Sequence, residues 1–136
     1  MGTLRVAAVQ ASYVLMDREA TIGRVAELTA AAAREGARLV VFPEVFVPGT
    51  PLWIDTQPVW DGDEDWFALL AASAVVLGDP ACARLASIAA AHQVWLLVGV
   101  DERERHGGTP ARVPPSSKPA GTARRTAPAR RTAPRR

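Results

Sequence analysis

The sequence predicts an α/β layered fold. Short apolar runs occur at 4–10, 38–42 and 94–100, each bounded by polar or turn residues. A capped amphipathic stretch lies between the first two, and a second capped stretch precedes the third. Strand, helix, strand at this spacing forms a βαβ unit, so the first two strands should be parallel with a right-handed crossover.

Each element has a local reason. Residues 4–10 read as a buried strand with Val6, Ala8 and Val9 inside. Asp17 can cap a helix over 18–35, in which Ile22, Val25, Leu28 and Ala32 recur at three- and four-residue steps and form one apolar face. Gly36 ends that helix as a left-handed C-terminal residue. Residues 38–42 are the second strand, and 48–65 form a loop with turn residues and two tryptophans. A helix over 66–74 follows. Asp79 as N-cap and Pro80 at the first helical position start another helix, with Leu85, Ile88 and Ala89 on one face. Residues 94–100 read as a third buried strand, and 101–105 as its charged exit.

The pattern stops after His106-Gly107-Gly108-Thr109. Residues 1–105 carry all 14 acids and 8 arginines, a net −6, whereas 106–136 carry 8 basic residues and no acid. The C-terminal stretch is Pro, Ala, Arg, Thr, Gly and Ser, with Val113 its one large aliphatic residue and a perfect hexapeptide repeat over 123–134. Such a segment lacks the apolar surface to offset its ordering entropy, so 110–136 is expected to be a disordered tail and 1–109 the folded portion.

Cys82 is the sole cysteine, so no intrachain disulfide forms, which fits a reducing compartment. The N-terminus lacks the apolar core of a signal peptide, and Val6 breaks the myristoylation pattern. The longest apolar stretch, 66–77, contains Ser73 and is shorter than the about 20 residues a membrane span needs. The expectation is a soluble cytoplasmic protein without membrane contact.

The stretch that says most about chemistry is 36–51, Gly-Ala-Arg-Leu-Val-Val-Phe-Pro-Glu-Val-Phe-Val-Pro-Gly-Thr-Pro. A strand runs directly into one carboxylate, Glu44, where open α/β sheets build their sites. The plainer alternative for Glu44 is a loop or capping carboxylate. Cys82 reads as a small helix residue rather than a nucleophile. The acidic run 61–65 fails as a calcium loop, because Trp66 and Ala72 stand where Gly and Glu are needed; it suits the N-terminal turn of the next helix. Trp53 and Trp60 suit either a substrate entrance or packing. His92 and His106 have no second ligand spaced for a metal. Arginine pairs at 124–125, 130–131 and 135–136 suit electrostatic contact with nucleic acid or an acidic surface. With no aromatic residue for base stacking, nucleic acid is not the expected partner.

Phe42-Pro43-Glu44 followed by Phe46-Val47-Pro48-Gly49 resembles the glutamate motif of the nitrilase branch of the carbon–nitrogen hydrolases. Residues 6–11 resemble that family's first strand and 98–103 the end of its third. The likeness covers 1–109, with one departure at Thr50, where the family usually has Tyr. It implies a four-layer αββα sandwich, usually formed by dimerisation and hence a homo-oligomer, of which this chain holds an incomplete N-terminal part. It further implies hydrolysis of a nitrile to carboxylate and ammonia by a Glu, Lys and Cys set, without cofactor or metal. On that pattern Glu44 is the general base. An amidase-type relative acting on amides is the alternative within the family. A non-catalytic protein binding through its arginine-rich tail is the alternative outside it.

The rest of the set is absent. The sole lysine, Lys118, lies in the tail, and Cys82 lies in a helix rather than after a later strand. A base without its nucleophile does not run covalent catalysis, so the chain alone is expected to be inactive. The abrupt change after Thr109 is what a GC-rich reading frame gives out of register, so the expectation is a truncated or frameshifted nitrilase. Three strands and three helices without a second sheet should also leave an apolar face exposed.

Overall fold

A computed structural model describes residues 2–55 and 63–104, together with the backbone of 111–113, 116–117 and 123–124. Three parallel strands form its centre: β1 (Val6–Ala8), β2 (Leu39–Val41) and β3 (Trp95–Leu97). Helix α1 (Arg18–Arg34) joins β1 to β2, and α2 (Asp63–Ser73) and α3 (Pro80–His92) lie between β2 and β3. Strand β4 (Val100–Glu102) pairs with β5 (Ala111–Val113) in a separate two-stranded sheet. The short strands β6 (Ser116–Ser117) and β7 (Ala123–Arg124) extend the main sheet in the order β1-β2-β3-β6-β7. The expected parallel βαβ unit is thus present, in the register Val6↔Leu39 and Leu39↔Trp95.

The helices start and stop where short-range chemistry dictates. The Asp17 carboxylate accepts from the Ala20 amide at 2.8 Å and caps α1. Gly36 follows α1 at φ +87°, a conformation that favours glycine. Asp79 caps α3 by accepting from the Cys82 amide at 3.0 Å, with Pro80 in the first turn. Its other oxygen accepts from the Val76 amide at 3.1 Å and lies 3.4 Å from Arg18 Nη1, so one carboxylate joins a turn, α3 and α1. Arg18 also donates to the Ala74 carbonyl at 3.2 Å.

Helices α1 and α3 pack together on one face of the sheet. Ile22 and Val25 of α1, and Ala81, Leu85 and Ala89 of α3, meet Val40, Phe42, Leu96 and Val98 in one buried cluster. Side chains alternate along a strand, so this face takes every second residue. Those between point the other way, and there Val6 is 50% exposed, Trp95 is 40% exposed, and Leu39, Val41 and Leu97 are half-buried.

Three expectations change. Val6 and Ala8 are exposed rather than inside; β1 is a sheet edge, and only Ala7 and Val9 face the helices. The third strand divides into β3 and β4, because the chain changes sheets at 98–99. Residues 101–102 do not leave the strand as a charged exit: they belong to β4, and Asp101 and Glu102 are 3% and 7% exposed, enclosed by pairing with Val75 on one edge and β5 on the other. The expected tail contains the short backbone pairings of β5, β6 and β7; its other residues, including Lys118 and most of the arginine pairs, lie outside the described residues. The second helix begins at Asp63, so the acidic run does supply its first turn.

Asp79→Ala removes the α3 cap and the Arg18 contact together. It should lower stability by about 1–2 kcal/mol, read as a fall in the urea midpoint. Ser87→Ala, which removes only an exposed hydroxyl contact to the Ala83 carbonyl, should change stability by less than about 0.5 kcal/mol.

Candidate functional site

Glu44 occupies a turn that begins one residue after β2 and is bound to the fold on both sides. Before it, the Phe42 amide donates to the Leu97 carbonyl at 2.8 Å, which carries the parallel ladder past the end of β2. After it, Val47 lies alongside Val100 of β4. The Val47 amide donates to the Gly99 carbonyl at 3.1 Å, and the Val47 carbonyl accepts from the Asp101 amide at 2.9 Å. Phe42, Val45, Phe46, Val47 and Pro48 are buried, whereas Pro43 and Glu44 are exposed. The turn therefore presents one carboxylate between a buried Phe42 and a buried run over 45–48.

The local chain is adapted to that course. Val45 has φ +53°, a left-handed conformation costly for a β-branched residue, and its own burial at 2% exposure holds it there. Phe46 packs against Phe42 with ring centroids 5.0 Å apart and edge-on against Tyr13 at 6.1 Å. The Val47–Pro48 bond is cis, and the Pro48 carbonyl accepts from the Met16 amide at 3.0 Å. Gly49 has φ +115°, and a Cβ there would lie 2.4 Å from the Tyr13 ring. The 13–16 connection is itself held by Thr21, whose hydroxyl donates to the Val14 carbonyl and accepts from the Val14 amide. The sequence from 42 to 49 is thus a backbone device as much as a side-chain motif.

Cys82 is positioned for helix structure. Its amide is bound by the Asp79 cap, and its Sγ contacts the Val76 carbonyl at 3.7 Å. Burial pushes the thiol's pKa up, and the Asp79 carboxylate pushes in the same direction, against backbone hydrogen bonds that pull it down. A thiol shifted that way is a poor nucleophile near neutrality.

The aromatic residues divide. Trp53 is 8% exposed and stacks on Trp66 at 5.5 Å, with Phe67 edge-on at 6.4 Å, so packing accounts for it. Trp60 and His106 lie outside the described residues. His92, in the last turn of α3, lines an open groove of about 580 Å³ with Glu27, Ala30, Ala33, Arg34 and Ala91. That groove joins the C-terminal ends of α1 and α3, the end of the βαβ layer opposite Glu44. No group of three or more metal-ligating side chains occurs among the described residues. None of their helices is long and apolar enough to cross a membrane.

The sequence reading missed the buried pair Asp101 and Glu102. Asp101 lies directly in the ladder that anchors the Glu44 turn. Glu102 Oε2 is buried and has no hydrogen-bond partner among the described residues. The available signal was Gly99, an isolated glycine inside a strand pattern, which marks a close approach of another backbone just before these residues.

The profile of the carbon-nitrogen hydrolases matches residues 5–113, and the chain belongs to that family. The match ends with β5, four residues beyond the boundary expected from the sequence. Among curated relatives, a nitrilase of Bacillus sp. (strain OxB-1) is 39% identical over 104 residues, covering 74% of this chain and 29% of the relative. An aliphatic nitrilase of Rhodococcus rhodochrous is 36% identical over 105 residues, covering 76% of this chain and 28% of the relative. The chain therefore spans under a third of the length of these relatives. Among solved structures, a CN-hydrolase superfamily protein from Xanthomonas campestris superposes with a TM-score of 0.66 at 22% identity, over 91% of this chain and 40% of its own. An amidase of Nesterenkonia AN1 gives 0.60 at 21% identity, over 88% and 40%. At those identities the superpositions define the fold, an α/β half of the carbon–nitrogen hydrolase sandwich.

Because folding raises the Cys82 pKa, the thiolate is disfavoured in the folded chain and stability falls as pH rises through the unfolded thiol's value of about 8.5. Alkylation by iodoacetamide at pH 7.5 should be at least about tenfold slower in the folded chain than in urea. Equal rates in the two states would refute this assignment.

Proposed function

We propose that this chain is the glutamate-bearing portion of a nitrilase-type hydrolase, with Glu44 as the general base. The observation that carries the reading is the placement of Glu44: one exposed carboxylate at the C-terminal end of a parallel sheet, on a turn fixed from both sides. Likeness to nitrilases over three quarters of the chain favours a nitrile over an amide substrate. The amidase likeness rests on fold alone.

In the proposed reaction Glu44 takes the proton of a cysteine thiol, the thiolate attacks the nitrile carbon, and Glu44 passes the proton to the nitrogen, which gives a thioimidate and restores the carboxylate. A lysine ammonium stabilises the charge that develops on nitrogen. Water activated by the same carboxylate adds to the carbon and ammonia leaves. A second water then cleaves the acyl-enzyme to the carboxylic acid and restores the thiol. Cys82 does not fit the nucleophile's part, since its thiol contacts Val76 and its pKa is raised. The nucleophile and the cation would come from protein that supplies the remaining two thirds of the relatives' length.

Accordingly, the purified chain should release no ammonia from aliphatic or arylacetonitriles. Adding a Bacillus nitrilase fragment that lacks the matched region should restore release, and Glu44→Gln in this chain should reduce the restored rate by at least about 100-fold. Restored activity that survives Glu44→Gln would remove Glu44 from the mechanism. Activity of the chain alone that is lost in Cys82→Ala would overturn the assignment of Cys82.

The break in composition after Thr109 supports reading the tail as translation out of register. Resequencing the coding region should reveal a frame change near that codon. An intact frame through residue 136, matched by the protein mass, would exclude it.

A further inference from the structure

We infer that Gly99 is the positioning residue for Glu44: the absent side chain at 99 fixes where the carboxylate stands. This deepens the proposed function and rests on the reading of Glu44 as the base. A Cβ built on Gly99 would lie 2.6 Å from the Pro43 carbonyl oxygen, 2.6 Å from the Val45 nitrogen and 2.7 Å from Glu44 Cα. Three atoms from three consecutive residues, with Glu44 at the centre, therefore rest on this one position. All three are backbone, so no side chain can rotate away to make room. The backbone of the turn must move if position 99 carries any side chain.

The turn has little freedom to move elsewhere. Immediately before Pro43 it is held by the Phe42 amide to Leu97, and immediately after Phe46 by the Val47 amide to the carbonyl of Gly99 itself. Gly99 thus serves as both floor and anchor. Its carbonyl holds the far side of the turn, and its bare Cα sets the height at which Glu44 sits. Val45, in its left-handed conformation, is the residue that closes the turn over this floor. The glycine is required by close approach rather than by its own backbone angles, which makes it different from Gly36 at φ +87°. Gly36 lies at the opposite end of β2, where an added Cβ meets only the flexible Arg5 side chain at 3.4 Å.

The test compares Gly99→Ala with Gly36→Ala in the full chain. Two mass-spectrometric readouts apply whether the chain is monomeric or associated. The first is amide exchange of peptides covering 42–50. The second is the pH profile of Glu44 coupling to an amine through a carbodiimide, which follows the carboxylate's protonation and surroundings. Gly99→Ala should speed exchange of 42–50 by about tenfold or more and shift the Glu44 coupling profile. Gly36→Ala, a loss of stability without contact to the turn, should leave the Glu44 profile at its wild-type position. An unchanged Glu44 profile in Gly99→Ala, or an equal shift in Gly36→Ala, would overturn the inference. In the complementation assay, Gly99→Ala should lower the ammonia-release rate while Gly36→Ala does not. A shifted coupling profile in a chain that never supports hydrolysis would keep the positioning role and refute only the hydrolase reading.

Discussion

The close approach of the 43–45 backbone to Gly99 is the constraint from which the rest of the site follows. At 2.6 to 2.7 Å from a notional Cβ, the turn and β4 are nearer than any two side-chain-bearing strands would be. That proximity lets Val47 pair with Val100 immediately after the turn, and Val75 takes the next position on the same edge of β4. Strand β4 consequently leaves the main sheet and forms its own pairing with β5. The division of one apolar run into two strands, the burial of Asp101 and Glu102, and the exposure of Glu44 are consequences of one steric fact.

Much of the fold was legible because its signals are local. Asp17, Gly36, Asp79 and Pro80 act within one helical turn of themselves, so the ends of α1 and α3 follow from short stretches of chain. Glu44 was legible for the same reason, since a strand-like run ends at Phe42-Pro43. What was not legible depends on partners distant in sequence. Val94 to Val100 has no alternation that would betray a change of sheet. That change is dictated by Val47 and Val75, some 50 and 25 residues earlier. Asp101 and Glu102 look like a charged exit from the strand until Val75 and β5 enclose them. Val-Ala-Ala-Val at 6–9 reads as buried on both faces, because small apolar residues carry no polar partner to mark the exposed one.

That exposed face is a property of the sheet as a whole. Val6, Leu39 and Trp95 pair across three strands, and their side chains project away from the helices together. Two of the three are at least 40% exposed. In a protein that completes its layers, apolar strand residues on one face are matched by a second sheet about 10 Å away. The described residues supply helices for one face only, in keeping with a chain that matches under a third of its relatives' length. The sequence anticipated such a face but assigned it too little surface, because it counted Val6 and Ala8 as interior.

Glu44 and Cys82 serve different parts of the fold. Glu44 belongs to a turn whose geometry is set by β4 and the 13–16 connection, and it is exposed. Cys82 belongs to the cap of α3, where its amide and thiol both serve that helix end, and it packs against the core on the helical side. The contacts that start α3 are the ones that engage the Cys82 amide and thiol. On the proposed reading of Glu44, a rigidly presented carboxylate does not need the nucleophile in the same segment, provided the sheet end on which it stands remains open to a second protein segment.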